Sequence, residues 1–299
     1  AGAWNQGTPG DSSSPMTQRE KTDMRRILGA LGALTLAVVV ALPAGAATTT
    51  VAIFGDTASA ENDPGWMFNR DASTATPYGF TLDEASIGNG SVYIEPIGAN
   101  PSDKFIAELF AVTPIADIES FTYDFLIGDG GTAADAKEFY LNVYANFGES
   151  DDLKYYDCRY DLVPRAGSTS DWTTVTFDPT EAYRVTTRGG ASASPFTCPA
   201  SPADMDELSA GSNIRAFVLN VGDTSDSDAG LDGYLDKVVL TANGNTTIYD
   251  FEVDEDGNGV ADTVPPTDKD DCKKGGWATF DNPSFPNQGQ CIKYVNTGK

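Results

Sequence analysis

Short runs of alternating apolar and polar residues, separated by clusters of glycine, proline, aspartate and serine, recur along most of the chain. The runs are rich in Val, Ile, Phe, Tyr and Thr, which favour extended backbone, and the clusters between them are typical of turns. Only residues 203–208 have a pattern that favours a turn or two of helix. The predicted strands lie at residues 50–54, 91–97, 104–112, 121–127, 138–147, 153–163, 172–177, 214–221, 234–241 and 246–253.

A succession of short strands with no helical period between them predicts an all-β fold, because parallel sheets need long, mostly helical crossovers. The expected architecture is an antiparallel two-sheet sandwich, with a jelly roll as its form. The run at 138–147 alternates most regularly. Because side chains alternate between the two faces of a strand, its apolar face is expected in the core and its second face is amphipathic. The first face carries Phe139, Leu141, Val143, Ala145 and Phe147, and the second carries Tyr140, Asn142, Tyr144 and Asn146.

The first 46 residues have the three-part order of a secretion signal. Arg25 and Arg26 precede an apolar run over residues 27–42, which Pro43 and the small residues 44–46 follow. The apolar run has about 16 residues and a bilayer span needs roughly 20, which favours a cleaved signal over a membrane anchor. We therefore predict that residues 1–46 are an upstream extension and signal peptide, and that the protein is secreted, extracellular or on the cell surface. An uncleaved anchor is the alternative.

The composition changes again after residue 253. Residues 47–253 carry the strand pattern, residues 254–271 are acidic and interrupted by proline, and residues 272–299 include a short loop bounded by cysteines. These boundaries predict a β-sandwich domain, an acidic calcium-loop linker and a short, irregular, disulfide-closed C-terminal tail.

The four cysteines predict two disulfides, because an even count is expected in an exported chain. Of the three possible pairings, we prefer the nearest neighbours in sequence. The first of them would close residues 180–203, which are rich in Thr, Ser, Gly, Ala and Pro and are expected to form a long surface excursion. The predicted pairs are Cys158 with Cys198 and Cys272 with Cys291.

Charge and the absence of one residue type exclude several function classes. The chain has 19 Lys and Arg against 44 Asp and Glu, and residues 1–46 hold four of the former and three of the latter. The remainder carries 15 against 41, a net charge of −26, which disfavours nucleic acid and anionic membranes as partners. With no histidine, Ser-His and Cys-His nucleophiles and the usual zinc sites are excluded. Chemistry by a carboxylate pair survives this test.

Two phrases near the end of the sandwich resemble a known class of domains. The sequences GLDGYLDKV at 230–238 and YDFE at 249–252, with the signal peptide, resemble secreted bacterial jelly-roll modules of the carbohydrate-binding, galactose-binding-like type. A late strand of such modules often carries Tyr-x-Asp-x-Val. The resemblance covers residues 50–252 and implies a lectin-like or adhesive sandwich. The cysteine-bounded tail resembles a small terminal element found on exported bacterial proteins.

The sequence DEDGNGVAD at 254–262 resembles the calcium loops of thrombospondin type-3 repeats and dockerins. Pro265 stands where an EF-hand has its bidentate glutamate, which disfavours a true EF-hand. Acids at every second residue around a glycine turn can converge on one Ca²⁺, with Gly259 at the turn, and a solvated acidic linker is the alternative. The predicted calcium ligands are Asp254, Asp256, Asn258 and Asp262. A second, weaker candidate, for which a hydrated hairpin loop is the preferred interpretation, comprises Asp223, Asp226, Asp228 and Asp232.

The amphipathic face of the strand at 138–147 is the predicted ligand platform. Sugars present flat C–H faces bordered by hydroxyls, so a lectin surface needs aromatic rings with amide or carboxylate groups at their edges. The run at 153–163, paired with it as a hairpin, extends this surface, and a solvated outer sheet face is the alternative. The wider platform comprises Tyr140, Asn142 and Tyr144, with Tyr155 or Tyr156, Asp157, Arg159 and Tyr160 from the second run. The residues that we predict to bind the ligand are Tyr140, Asn142, Tyr144, Tyr156 and Arg159.

These observations predict a secreted, non-catalytic binding module that takes a polysaccharide or cell-surface glycan and is stabilised by Ca²⁺. A structural, matrix or adhesion protein with calcium as its only small ligand is the first alternative. A carboxylate-dependent glycoside hydrolase or lyase is the second.

Overall fold

The computed structural model describes residues 46–59, 63–70, 75–100, 102–148, 156–188, 197–222 and 229–298. Residues 1–45 of the predicted signal segment, Tyr155 and three residues of the second acidic candidate (Asp223, Asp226 and Asp228) lie outside this part of the chain. Within it, no helix has the length and hydrophobicity needed to cross a membrane.

The described residues form thirteen strands and two α-helices. The strands are β1 Thr48–Ile53, β2 Gly65–Phe68, β3 Tyr78–Thr81, β4 Ser91–Ile94, β5 Lys104–Pro114, β6 Ile118–Ile127, β7 Phe139–Asn146, β8 Cys158–Leu162, β9 Thr173–Phe177, β10 Arg184–Thr187, β11 Asn213–Gly222, β12 Gly233–Ala242 and β13 Asn245–Phe251. The helices are α1 Pro202–Leu208 and α2 Gln288–Thr297, and short 3₁₀ helices lie at Ile115–Asp117, Ala133–Glu138 and Lys273–Ala278.

The strands form two sheets packed face to face. The six-stranded sheet has the order β10-β8-β7-β11-β5-β2, and all its pairs are antiparallel. In the seven-stranded sheet, β1-β13-β12-β4-β3 form the main path, and β6 joins β12 to β9. Only β1 with β13 is parallel among the pairs of described strands. Strands from the first half of the chain pair with strands from the second half, as β4 with β12 and β5 with β11. The predicted all-β, jelly-roll sandwich is therefore confirmed.

All ten predicted runs contain an observed strand, and β7 and β8 pair as the predicted hairpin. Three four-residue strands, β2, β3 and β10, were not predicted, and β10 lies inside the stretch 180–203 that was expected to form a surface excursion. The expectation of a single helix was also wrong, because α2 occupies the tail. Asn287 caps this helix by accepting the Gln290 N–H at 3.0 Å, and Gly298 ends it in the left-handed conformation.

The core lies between the sheets and decides which face of each strand is free. The apolar face of β7, from Phe139 to Phe147, is buried there as predicted. Phe217 on β11 stacks on Phe121 of the opposite sheet with ring centroids 4.1 Å apart. The other face of β7 and β11 must therefore point away from the core, to the outside of the six-stranded sheet.

Both predicted disulfides are present, Cys158–Cys198 and Cys272–Cys291. Cys158 is fully buried and begins β8, so the first disulfide ties residues 197–198 to the strand beside β7. The second closes the tail between the 3₁₀ helix and α2.

Candidate ligand-binding groove

The outer face of the six-stranded sheet forms a groove of about 560 Å³, a volume typical of small-molecule and oligosaccharide sites. Five adjacent strands contribute to it, from β10 to β5, which corresponds to a length of roughly 19 Å at the usual strand spacing. The groove is lined by Lys104, Ile106, Glu108, Lys137, Tyr140, Asn142, Tyr144, Arg159, Asp161, Val163, Arg184, Val218 and Asn220.

Strand register explains why residues far apart in sequence meet here. Partners directly opposite each other share a face, and every second residue along a strand returns to that face. One row across the sheet consists of Arg184, Asp161, Asn142, Val218 and Glu108, and the next consists of Thr186, Arg159, Tyr144, Ala216 and Phe110. The amphipathic face of β7 thus lies at the centre of the groove.

A chain of hydrogen bonds crosses the groove floor from β11 to β8. The Asn220 Nδ2 donates to Asn142 Oδ1 at 3.2 Å, and Asn142 Nδ2 donates to Asp161 Oδ1 at 2.8 Å. Arg159 closes the chain by donating from Nε and Nη2 to the two Asp161 oxygens at 2.7 and 3.2 Å. Each of these polar groups is held in one orientation by its neighbours, so the floor is organised before any ligand arrives.

Tyr144 forms one wall of the groove. Its ring stacks on Tyr156 with centroids 4.5 Å apart, and the Arg215 guanidinium lies 5.9 Å from its centroid. Burial, reinforced by the Glu108 charge, raises the pKa of Tyr144 to about 12. The phenol is therefore neutral at physiological pH.

Arg215 reaches this wall because of a β-bulge. The register of β11 against both β5 and β7 shifts between Ile214 and Ala216, and such an insertion re-aims the extra side chain. The Arg215 guanidinium lies 5.6 Å from the Phe110 ring centroid, and its side chain is buried. Arg70 lies 5.3 Å from the same ring and donates to Glu108 Oε2 at 2.8 Å.

The groove has the opposite charge balance from the rest of the chain. Two acids line it, Glu108 and Asp161, against four cations, Lys104, Lys137, Arg159 and Arg184. The whole chain carries a formal net charge of −25. A net positive lining on a strongly acidic protein concentrates field lines in the groove and favours a ligand that carries negative charge.

Four of the predicted platform residues, Tyr140, Asn142, Tyr144 and Arg159, lie together in the groove lining. Tyr156 lies outside the groove lining and stacks on Tyr144. Their role in binding stays a prediction.

One of the wider candidates, Tyr160, was wrong, and another, Asp157, lies outside the groove lining. Tyr160 is fully buried in the core, because its position in β8 alternates with those of Arg159 and Asp161. Asp157 precedes β8 and accepts the Phe147 N–H at 3.0 Å instead of lining the groove.

Sequence reasoning missed the lining residues on the neighbouring strands. The alternation of Lys104, Ile106 and Glu108 along β5 is visible in the sequence, and so is that of Val218 and Asn220 along β11. Each pattern identifies an outer face, but neither says that β5, β11 and β7 are neighbours. Asp161 stands two positions after Arg159 on β8 and therefore on the same face, so the alternation that identified Arg159 could also have identified Asp161.

The predicted calcium loop adopts a different arrangement from the one expected. Asp256 and Asp262 lie together with Asp281 of the tail, with one carboxylate oxygen of each within 4.8 Å of the others. Asp254 instead accepts the backbone N–H groups of Asn258 and Gly259, at 3.0 and 2.9 Å.

Asp232, the described member of the second acidic candidate, lies at the end of the seven-stranded sheet. It accepts the Gly130 N–H at 2.8 Å and the Tyr93 hydroxyl at 3.1 Å. Both bonds are those of a turn-stabilising carboxylate.

The raised pKa of Tyr144 predicts an alkaline effect on stability. A phenol that is harder to ionise when folded stabilises the protein fully below pH 10, and this contribution is lost as pH rises towards 12. The phenylalanine of the Tyr144→Phe variant cannot ionise. Between pH 10 and 12 we therefore expect the free energy of unfolding of the parent to fall by up to about 2 kcal/mol more than that of the variant. Urea unfolding at pH 8, 10 and 11 measures this difference, and equal slopes for parent and variant would contradict it.

No protein-family model matches the chain, and no curated protein matches its sequence. Among solved structures, it is similar to the CBM22-1 xylan-binding domain of Paenibacillus barcinonensis Xyn10C, with 9% identity, a TM-score of 0.31 and coverage of 63% of this chain and 88% of that one. The family 11 carbohydrate-binding module of Lic26A-Cel5E from Clostridium thermocellum has 9% identity and a TM-score of 0.34, with coverage of 64% of this chain and 96% of that one. A cyclase from Fischerella sp. TAU has 18% identity and a TM-score of 0.28, with coverage of 60% of this chain and 85% of that one. Similarity at this level concerns the general sandwich fold, and function must be argued from the groove.

Proposed function

We propose that the domain binds a polysaccharide chain in the groove of the six-stranded sheet and catalyses no reaction on it. The observation that carries the proposal is the combination of Tyr140 and Tyr144 with a hydrogen-bonded amide and carboxylate floor on one open face. Aromatic rings pack on the C–H faces of sugars, and amide and carboxylate groups bond their hydroxyls. A groove about five strands long suits an extended chain better than a compact metabolite.

The floor is rigid enough to bind without a large ordering cost. Asn142 and Asn220 are buried, and each has its amide fixed by a neighbour across the strands. Polar groups that are already oriented lose little side-chain entropy when a ligand binds.

The arrangement of carboxylates supports binding over hydrolysis. Glycoside hydrolysis needs two carboxyl groups facing the scissile bond from opposite sides. The two acids of the groove are instead engaged by arginine side chains, Glu108 by Arg70 at 2.8 Å and Asp161 by Arg159 at 2.7 Å. Those contacts occupy oxygens that a catalytic pair would present to the substrate.

The charge of the groove predicts a preference among polysaccharides. We expect an acidic glycan, such as one built from uronic acids, to bind at least roughly tenfold more tightly than a neutral one, because charge-assisted bonds to its carboxylates add to the stacking. The preference should shrink as NaCl is raised from 50 to 500 mM, since salt screens exposed charges.

Calorimetry with soluble polygalacturonate, alginate, xylan and galactan measures this preference. Arg184→Ala removes an exposed groove cation and should reduce this preference, whereas Lys269→Ala, which removes an exposed cation of the acidic linker outside the groove lining, is the control. Equal affinity for acidic and neutral chains would refute the charge argument and leave the binding proposal standing.

The proposal as a whole is tested by retention on insoluble polysaccharides and by a glycan array that includes acidic chains. Absence of retention on every polymer would favour the structural or matrix role. Release of reducing sugar from any of them would favour the hydrolase. We also propose that the domain works outside the cytoplasm, which the two disulfides support, because such bonds persist in oxidising compartments.

A further inference from the structure

A cluster of three carboxylates joins two segments that follow the sandwich. Asp256 and Asp262 belong to the acidic loop after β13, and Asp281 belongs to the disulfide-closed tail. One oxygen of each lies within 4.8 Å of the others. Two oxygens on opposite sides of one calcium ion are about 4.6–5.2 Å apart, so the three atoms are close enough to share a single Ca²⁺.

Asp262 supplies an observation that acids clustered at a surface do not. Its side chain is only 1% exposed, and its Oδ1 has no hydrogen-bond partner among the described residues. The other oxygen, Oδ2, accepts the Glu255 N–H at 2.9 Å and the Asn282 amide at 3.3 Å. A buried carboxylate oxygen without a donor costs free energy, and a cation held with Asp256 and Asp281 would compensate it.

Asn258 shows where positive charge is favoured in the cluster. Its Nδ2 lies 3.2 Å from Asp256 Oδ2 and 3.0 Å from Asp281 Oδ2. The partly positive amide hydrogens thus bridge the loop and the tail. Its own Oδ1 accepts the Val260 N–H at 2.7 Å, so in this conformation Asn258 acts as a donor to the carboxylates and not as the ligand that the sequence predicted.

Few residues of the loop and the tail are buried. Among the described residues from 254 to 298, the buried ones are Asp262, Pro266, Cys272 and Cys291. Hydrogen bonds link the two segments: Asn258 to Asp281, Asn282 to Glu255 and Asp262, and the Asp281 N–H to Thr263. Exposed hydrogen bonds of this kind contribute little by themselves.

We propose that Asp256, Asp262 and Asp281 bind one Ca²⁺, with water completing the shell, and that this ion fixes the C-terminal tail to the acidic loop. Calcium is the cation of choice because it takes oxygen ligands in flexible geometry and keeps water at open positions. The site differs from the predicted loop site in drawing a ligand from outside the loop, and the ion then acts as a clamp between the two segments.

The deciding experiment is a calcium titration of the full chain, by calorimetry, in parallel for the parent, Asp281→Asn and Asp270→Asn. The first substitution removes the tail ligand and should weaken one calcium equivalent roughly tenfold or more, as expected when a site loses one charged ligand. Asp270→Asn makes the same charge change at the end of the acidic linker, outside the cluster, and should bind Ca²⁺ as the parent does. The comparison isolates this site whatever other acids bind calcium.

Hydrogen exchange gives a second readout that does not depend on affinity. Calcium should slow exchange of amides at 254–263 and at 279–283 together in the parent, and this joint protection should disappear in Asp281→Asn. The clamp is refuted if Asp281→Asn keeps the parent affinity, if Asp270→Asn weakens binding equally, or if calcium protects the loop without the tail.

Discussion

Replacing Tyr140 and Tyr144 together by alanine should lower the affinity of the domain for its polysaccharide roughly 30- to 700-fold. The estimate takes each ring as one central contact whose truncation costs about 1–2 kcal/mol. The two residues stand four positions apart on β7, on either side of Asn142, and the groove lining includes all three. Affinity electrophoresis in gels that contain the polymer measures the loss.

The same substitution must leave the fold intact if the groove interpretation is right. The core side of β7 lies on the opposite face, and neither ring belongs to the main core cluster. The far-ultraviolet circular dichroism spectrum and the urea midpoint are therefore the necessary companions of the binding measurement. Tyr144→Ala has the larger structural risk, because its ring separates Tyr156 from Arg215, so Tyr140→Ala alone is the cleaner variant.

Tyr234→Ala is the matched control. Tyr234 is also a partly buried tyrosine on a central strand, but it lies on the seven-stranded sheet, where its ring packs at 5.0 Å from that of Tyr93. If the loss of any aromatic ring were sufficient, polysaccharide binding would weaken equally in Tyr140→Ala, in the double variant and in Tyr234→Ala. Unchanged affinity of Tyr140→Ala would place the binding surface elsewhere, with the aromatic pair around Tyr234 as the next surface to test.

Local patterns predicted the architecture well because they record a physical constraint on each strand. Alternation along β7 separates the core face from the outer face, since one buried face forces apolar residues at every second position. The strands that escaped prediction, β2, β3 and β10, have only four residues each. Gly79 interrupts β3, and a run that short is set by its partner strand more than by its own propensity.

Only those groove residues that lie close together in sequence could be predicted. Tyr140, Asn142 and Tyr144 lie on one strand, and Arg159 lies on the next strand of a hairpin. Asn220 and Glu108 reach the same groove through strand pairs, Asn220 with Tyr140 and Glu108 with Val218, whose members are 80 and 110 positions apart in sequence. Such pairings depend on how the whole chain packs, and no turn or spacing in the sequence specifies them.

In the acidic loop, too, the sequence pattern could not identify a residue that packing brings in from a distant segment. Spacing around Gly259 predicts a calcium site within residues 254–262, and a motif contained in nine residues cannot indicate Asp281, which lies in the carboxylate cluster. The aspartate at the first position, Asp254, folds back onto the backbone N–H groups of Asn258 and Gly259. Its place among the three clustered carboxylates is taken by a residue nineteen positions after Asp262.

The second large effect concerns the disulfide beside the groove. Replacing Cys158 and Cys198 together by alanine should lower the free energy of unfolding by about 4 kcal/mol, the chain-entropy value for a closed loop of 40 residues. Alanine is the better substitute than serine, because Cys158 is fully buried and a hydroxyl there would need a partner. Urea unfolding followed by tryptophan fluorescence should show a midpoint lower by about 1 M or more.

The other disulfide provides the contrast that makes this result informative. Cys272 and Cys291 close a loop of 19 residues in the tail, outside both sheets, so their replacement by alanine should leave the sandwich midpoint nearly unchanged. An equal loss in both variants would mean that the tail is part of the cooperative unit, and no loss in the first would mean that the stretch 180–203 is held by its own contacts. Arg159 follows Cys158 directly, but pairing with β7 and the bonds to Asp161 still position it. Below the unfolding transition the variant should therefore keep its polysaccharide affinity, which separates the stabilising role of this disulfide from the binding role of the strand that it anchors.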